Sequence, residues 1–136
     1  ERLYASYNKD VEFLIVYIRE AHPDILREDN KTGIVGRPKD INERTILASE
    51  CVAKYKFTIQ MVIDGMDGKV NDDYKAWPVR VTVTDIDGKV AFYAGPGPFD
   101  FRNRQTGIIS NGRRPSEPKL KFTLRLSKQT CCSIHS

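Results

Sequence analysis

Residues 11–18 hold the longest wholly apolar run of the chain, Phe13-Leu14-Ile15-Val16-Tyr17-Ile18, rich in β-branched positions and without a polar face. A strand of that kind must be covered on both sides, which is the condition of an inner strand in a parallel sheet, so this segment is predicted to be central. Ahead of it, Leu3, Tyr4 and Tyr7 share a helical face and predict the last turns of a helix over 1–9. Behind it, residues 19–39 are polar, punctuated by Pro23, Gly33, Gly36 and Pro38, and follow neither period. Connections this long usually serve as binding loops, lids or disordered segments.

Periodicity resumes where Asp40 or Asn42 can cap a helix running to Tyr55, with Ile46, Leu47 and Cys51 at helical spacing. Residues 59–63 read as a short strand, 64–69 as a turn and 71–76 as one helical turn. Val79-Arg80-Val81-Thr82-Val83-Thr84 then alternates, Asp87-Gly88 is a hairpin signal, and 89–93 returns as the second strand of an antiparallel pair. Gly95-Pro96-Gly97-Pro98 stops that strand. No sustained period follows until 120–126, which reads as a weak strand or helix.

A chain of 136 residues, 40% hydrophobic and 29% charged, suits one globular domain with one core. The apolar run at 13–18 is far shorter than the roughly 20 residues that span a bilayer, so no membrane span is expected. The opening Glu-Arg-Leu-Tyr reads as helix already under way, with neither a cap nor a signal pattern, and predicts a fragment or a processed chain. The compartment is left open, with the cytoplasm slightly favoured.

The net charge of +4 is unevenly placed, because 8 of the 22 basic residues but only Glu117 of the 18 acidic ones follow Phe101. Residues 102–136 are therefore expected to form a basic, solvated tail. Nucleic-acid binding is not expected of it, since no aromatic residues interleave the charge in the manner of a binding module. Cys51, Cys131 and Cys132 lack metal-ligand spacing, and no metal is expected. Cys51 is read as an apolar core filler and the adjacent pair as tail thiols.

Several stretches together resemble the iodothyronine deiodinases, here in a bacterial-type, N-terminally truncated form. Phe13-Leu14-Ile15-Val16-Tyr17-Ile18-Arg19-Glu20-Ala21-His22-Pro23 is similar to the family's strand ending in Glu-Ala-His-Pro. Asn42-Glu43-Arg44 resembles its polar helix start, Val62-Ile63-Asp64-Gly65-Met66-Asp67 its valine-aspartate-methionine-aspartate turn, and Gly95-Pro96-Gly97-Pro98-Phe99 its strand exit. The resemblance covers 1–101, which it marks as a partial domain beside the tail at 102–136. It departs at Pro38, where deiodinases have another histidine.

The resemblance implies an α/β, thioredoxin-like fold that is incomplete, lacking the N-terminal strand and the helix start that carry a cysteine or selenocysteine. In such folds the missing strand lies between those at 11–18 and 79–84, so its loss predicts low stability or re-pairing of these two. The implied function is thiol- or selenol-dependent reduction, including reductive dehalogenation of a small aromatic substrate. The implied reductant is an external thiol; no cofactor is expected to be bound, and a homodimer is allowed. The alternatives are a peroxiredoxin-like or thiol-disulfide reductase, acting on a peroxide or thiol, and a non-catalytic thioredoxin-like binding module.

Ligands of open α/β sheets bind beyond the carboxyl ends of the parallel strands, which singles out Glu20 and His22 just past Ile18. In extended chain the two project to one side, where the carboxylate would orient the imidazole as proton donor or hydrogen-bond partner. Pro78 resembles the cis-proline that precedes the antiparallel strand of thioredoxin-like folds. Arg80, two residues on, matches an arginine of the family and is expected to bind a substrate carboxylate or phenolate.

Overall fold

The protein is described by a computed structural model at residues 1–20, 36–97 and 120–126, the last of these for its backbone. Val11–Tyr17 forms β1, preceded by the short helix α1 (Arg2–Tyr7) and followed by α2 (Ile41–Tyr55), β2 (Met61–Ile63) and α3 (Lys69–Asp73). The hairpin of β3 (Arg80–Thr84) and β4 (Val90–Tyr93) comes next, and β5 (Leu120–Leu126) completes the described elements. The five strands make one sheet in the order β2-β1-β5-β3-β4. β1 runs parallel to β2 and to β5, whereas β3 is antiparallel to both β5 and β4.

β1 is an inner strand, and its two faces are closed by different elements, as its unbroken apolar run requires. Phe13 and Ile15 belong to a core with Val79, Val81 and Val83, onto which α1 sets Leu3, Tyr4 and Tyr7. Tyr4 meets Phe13 edge to face at 5.5 Å. Further along the strand, Tyr17 packs against Leu47, Ala48 and Cys51 of α2. Val16 and Ile18, facing the other way, pack on Ala76, with Leu14, Val70 and Tyr74 around them. Each such aliphatic side chain, fully buried, contributes about 1.5–3 kcal/mol of transfer free energy.

Local chemistry fixes the ends of α2. Asp40 Oδ1 accepts from the main-chain N–H of Asn42 at 2.8 Å and of Glu43 at 2.9 Å, and Glu43 reaches back to the Lys39 N–H. The helix stops at Lys56, which turns left-handed with φ of 52°. Its buried residues, Arg44, Leu47, Ala48 and Cys51, fall at three- and four-residue intervals and form the stripe turned to the sheet. In the β3–β4 hairpin, Gly88 supplies a positive φ of 80°, and the Asp85 carboxylate accepts from the Lys89 N–H.

The strands expected at 11–18 and 79–84 are not re-paired with each other, because β5 lies between them. Its whole length, Leu120 to Leu126, is in register with Val11 to Tyr17 on one side, and Arg125 to Lys121 face Arg80 to Thr84 on the other. The segment expected as a weak strand or helix is thus an inner strand. It pairs with strands that precede residue 101 on both of its sides. Among the described residues, no helix is long and apolar enough to cross a membrane, and no group of His, Cys, Asp and Glu is arranged to hold a metal ion.

Asp64 joins four elements at the exit of β2. Its N–H donates to the Tyr17 carbonyl at 2.9 Å, extending the β1–β2 pairing by one residue. Its carboxylate, only 2% exposed, accepts from the Val70 N–H at 3.0 Å and the Asn71 N–H at 2.9 Å, holding the first turn of α3. The buried Arg44 of α2 donates through Nη1 to the carbonyls of Asp64 and Gly65 at 3.1 and 2.7 Å. Removing the carboxylate orphans one buried and one part-buried donor, so Asp64→Ala is expected to lower the unfolding free energy by about 3 kcal/mol and Asp64→Asn by about half as much. Urea denaturation followed by circular dichroism checks this, and a loss below ~1 kcal/mol in the alanine variant would reject the node.

Candidate functional site

The carboxyl end of β1 and the amino end of β3 meet at one end of the sheet. Val16 of β1 and Arg80 of β3 are both in register with Arg125 of β5, which puts them two strand spacings apart, roughly 10 Å. Beyond β1 the chain continues through Ile18, fully buried on Ala76, to Arg19 and Glu20. Ala76 opens the turn that leads through Trp77 and Pro78 into β3, and the Trp77–Pro78 peptide bond is cis. Packing of Ile18 on Ala76 therefore brings the end of β1 alongside this turn.

A second contact spans the same gap. The Arg19 guanidinium lies 5.8 Å from the centroid of the Trp77 ring, within the range of a cation–π interaction, and Trp77 is 44% exposed. Glu20, the next residue, is turned inward and only 4% exposed, and its Oε1 has no hydrogen-bond partner among the described residues. A buried carboxyl oxygen left open costs free energy, so the position favours a donor brought by a neighbouring segment or by a ligand. His22, which the sequence pairs with Glu20, lies outside the described residues.

Arg80 is held by its own surroundings. Nε donates to the Lys75 carbonyl at 2.7 Å, Nη1 to the Ala94 carbonyl at 2.7 Å, and the guanidinium stands over the Tyr93 ring with 4.5 Å between them. The Tyr93 hydroxyl in turn donates to the Tyr74 carbonyl. Two of the guanidinium nitrogens are therefore committed to the main chain, where they tie the turn before β3 to the end of β4. Arg80 is a brace first, and among the described residues only the remaining edge of its fork is left for an anion.

Of the residues singled out in the sequence, Glu20, Pro78 and Arg80 are thus brought to one end of the sheet. Arg19 and Trp77 belong to the same place and were not singled out. The available signals were their positions, next to Glu20 and immediately before Pro78. The cleft lined by Leu3, Tyr4, Phe13, Leu14 and Ile59 belongs to α1 and the first half of β1, and none of these residues lies in that cluster.

The main-chain carbonyls held by Arg80 give a test of its bracing role. Lysine carries one compact ammonium and cannot reach both, so Arg80→Lys is expected to cost about 1–2 kcal/mol of stability in urea denaturation. An unchanged midpoint would show that the brace carries no weight.

Comparison with known proteins places these residues in context. The family model of iodothyronine deiodinase matches residues 1–108. The type II iodothyronine deiodinase of Petromyzon marinus is 32% identical over 96 residues, covering 69% of this chain and 33% of that protein. The thyroxine 5-deiodinases of Homo sapiens and Mus musculus are 29% and 28% identical over 103 residues, covering 75% of this chain and 33% of each of theirs. The chain spans about a third of the length of the curated relatives it matches.

Proposed function

The chain belongs to the iodothyronine deiodinase family, and from that premise we propose that it is part of a thioredoxin-like oxidoreductase that removes halogen reductively from a small aromatic substrate. The overall change is Ar–I plus two thiols giving Ar–H, iodide, a proton and one disulfide, so an external thiol supplies the two electrons. The attacking thiol or selenol is assigned to a segment outside residues 1–136. The observation that carries the reading is the gathering of Glu20, cis Pro78 and Arg80 at one end of the sheet, within the stretch that matches the family model.

In this reading the open carboxyl oxygen of Glu20 takes a hydrogen bond from the His22 imidazole, two residues on, and fixes its direction. His22 then delivers a proton to the carbon that loses iodide, or a hydrogen bond to the substrate's phenolic oxygen. Arg80 offers the free edge of its guanidinium to a substrate carboxylate or phenolate, and Pro78 shapes the floor beside it. Trp77 and Tyr93 present aromatic faces of the kind a ring-bearing substrate packs on.

The test uses the complete protein, with release of iodide from an iodinated phenol under dithiothreitol as the readout. His22→Ala is expected to lower kcat by about 100-fold, the usual range for a general acid, and Glu20→Gln to lower it less while leaving KM near its original value. Iodide release at the original rate in His22→Ala removes that residue from the mechanism. No release by the unaltered protein, with turnover of a peroxide or a disulfide instead, replaces dehalogenation by one of those reductions.

A further inference from the structure

From Asp64, two routes of hydrogen bonds lead to the corner where Glu20, Trp77 and Arg80 gather. Along the first, its N–H holds the Tyr17 carbonyl at 2.9 Å, three residues before Glu20. Along the second, its carboxylate accepts from the N–H groups of Val70 and Asn71, the Asn71 carbonyl accepts from the Ala76 N–H at 2.9 Å, and Ala76 immediately precedes the cis Trp77–Pro78 bond. The two routes close on each other, because Ile18 of the first packs on Ala76 of the second and both are wholly buried. We propose that Asp64 is a positioning residue of the candidate site, setting the turn 74–78 against the exit of β1 and so holding Glu20 inward and Trp77 beside Arg19.

The segment between β2 and β3 needs such a holder. α3 has five residues, well below the roughly 12 at which an isolated helix begins to sustain itself. Its N-cap, Gly68, has no side chain to offer, so the donors of the first turn must be met from elsewhere, and Asp64 meets two of them with one carboxylate. The backbone that bears this carboxylate is itself pinned to α2, through the bonds from Arg44 to the Asp64 and Gly65 carbonyls. At the far end of the segment, Arg80 holds the Lys75 carbonyl and the Tyr93 hydroxyl donates to the Tyr74 carbonyl. The arc 68–78 is thus tied by a carboxylate at one end and a guanidinium at the other.

A carboxylate suits the task because both of its oxygens accept. The amide of Asp64→Asn has nearly the same shape, but it accepts with one oxygen only and turns an NH2 group toward the other main-chain N–H, donor against donor. One tie of α3 is then lost, and the Asn71–Ala76 bond loosens with it. Glu20 follows, since its Oε1 has no partner among the described residues and its inward place is imposed by the packing of the β1 exit. Once Ile18 and Ala76 part, that carboxylate gains by turning to water. The part of Asp64 in catalysis rests on the dehalogenation reading, whereas its hold on the turn does not.

Amide exchange followed by NMR tests the hold first in the complete, unaltered protein, where Val70, Asn71 and Ala76 are expected to open as one unit with protection within about threefold of one another. Ala76 exchanging about tenfold faster than the other two overturns the tether. In Asp64→Asn, protection at Ala76 is expected to fall about tenfold further than at Ile15 in the sheet, a selectivity that Ile59→Val, a truncation in the core under α1, does not produce. An equal fall at Ile15 and Ala76 makes Asp64 a general stabiliser and overturns the proposal. Iodide release from the same complete proteins gives the second readout: kcat of Asp64→Asn is expected to drop about tenfold with KM within about twofold, because Arg80 keeps its Ala94 anchor, while Ile59→Val changes neither. Selective loss of protection at Ala76 with kcat unchanged overturns the positioning role. The same selective loss in a protein whose unaltered form releases no iodide removes the dehalogenation reading and leaves Asp64 as the holder of the turn.

Discussion

Between β1 and β3 the sheet needs a strand parallel to the first and antiparallel to the second, and every main-chain donor and acceptor on the facing edges of those two depends on it. β5 meets that requirement over the full length of β1. The consequence is architectural as much as energetic: without it, β1 with β2 and β3 with β4 would be two separate ribbons, each too narrow to keep a packed face of its own. The core that spans them, with Ile15 beside Val79 and Val81, relies on the intervening strand to set its width.

The elements dictated by neighbours in sequence were legible there. An apolar run without a polar face marked β1 as an inner strand, Asp40 or Asn42 marked the start of α2, and Asp87-Gly88 marked the hairpin. Glu20 was legible from its place just past the apolar run, whereas Pro78 and Arg80 were marked by the family resemblance. The position of β5 was not. Leu120, Phe122, Leu124 and Leu126 alternate with Lys121, Thr123 and Arg125 over only seven residues, a stretch that read as a weak strand or helix and carries no address, and its partners lie more than a hundred residues earlier in β1. Pairing at such distance is settled by competition among edges, which no local window records.

The contacts within the candidate site were equally hidden, for a related reason. That Arg19 stands over Trp77, or that two nitrogens of Arg80 are spent on carbonyls of Lys75 and Ala94, depends on how a strand end and a turn come to lie side by side. Residue type announced the chemistry available at these positions, whereas the arrangement decided how much of it was left for a ligand. Arg80 illustrates the difference, since its charge faces a ring and its donors serve the backbone that carries it.

Trp77 is the chain's single tryptophan, and it sits half in water at the corner where β1, the cis-proline turn and β3 converge. Light absorbed by indole alone is therefore emitted from this corner and nowhere else. Its colour and intensity respond to the nearby Arg19 charge and to whatever dries or wets the ring, so the protein carries an optical reporter of its own, installed beside the candidate site and needing no label.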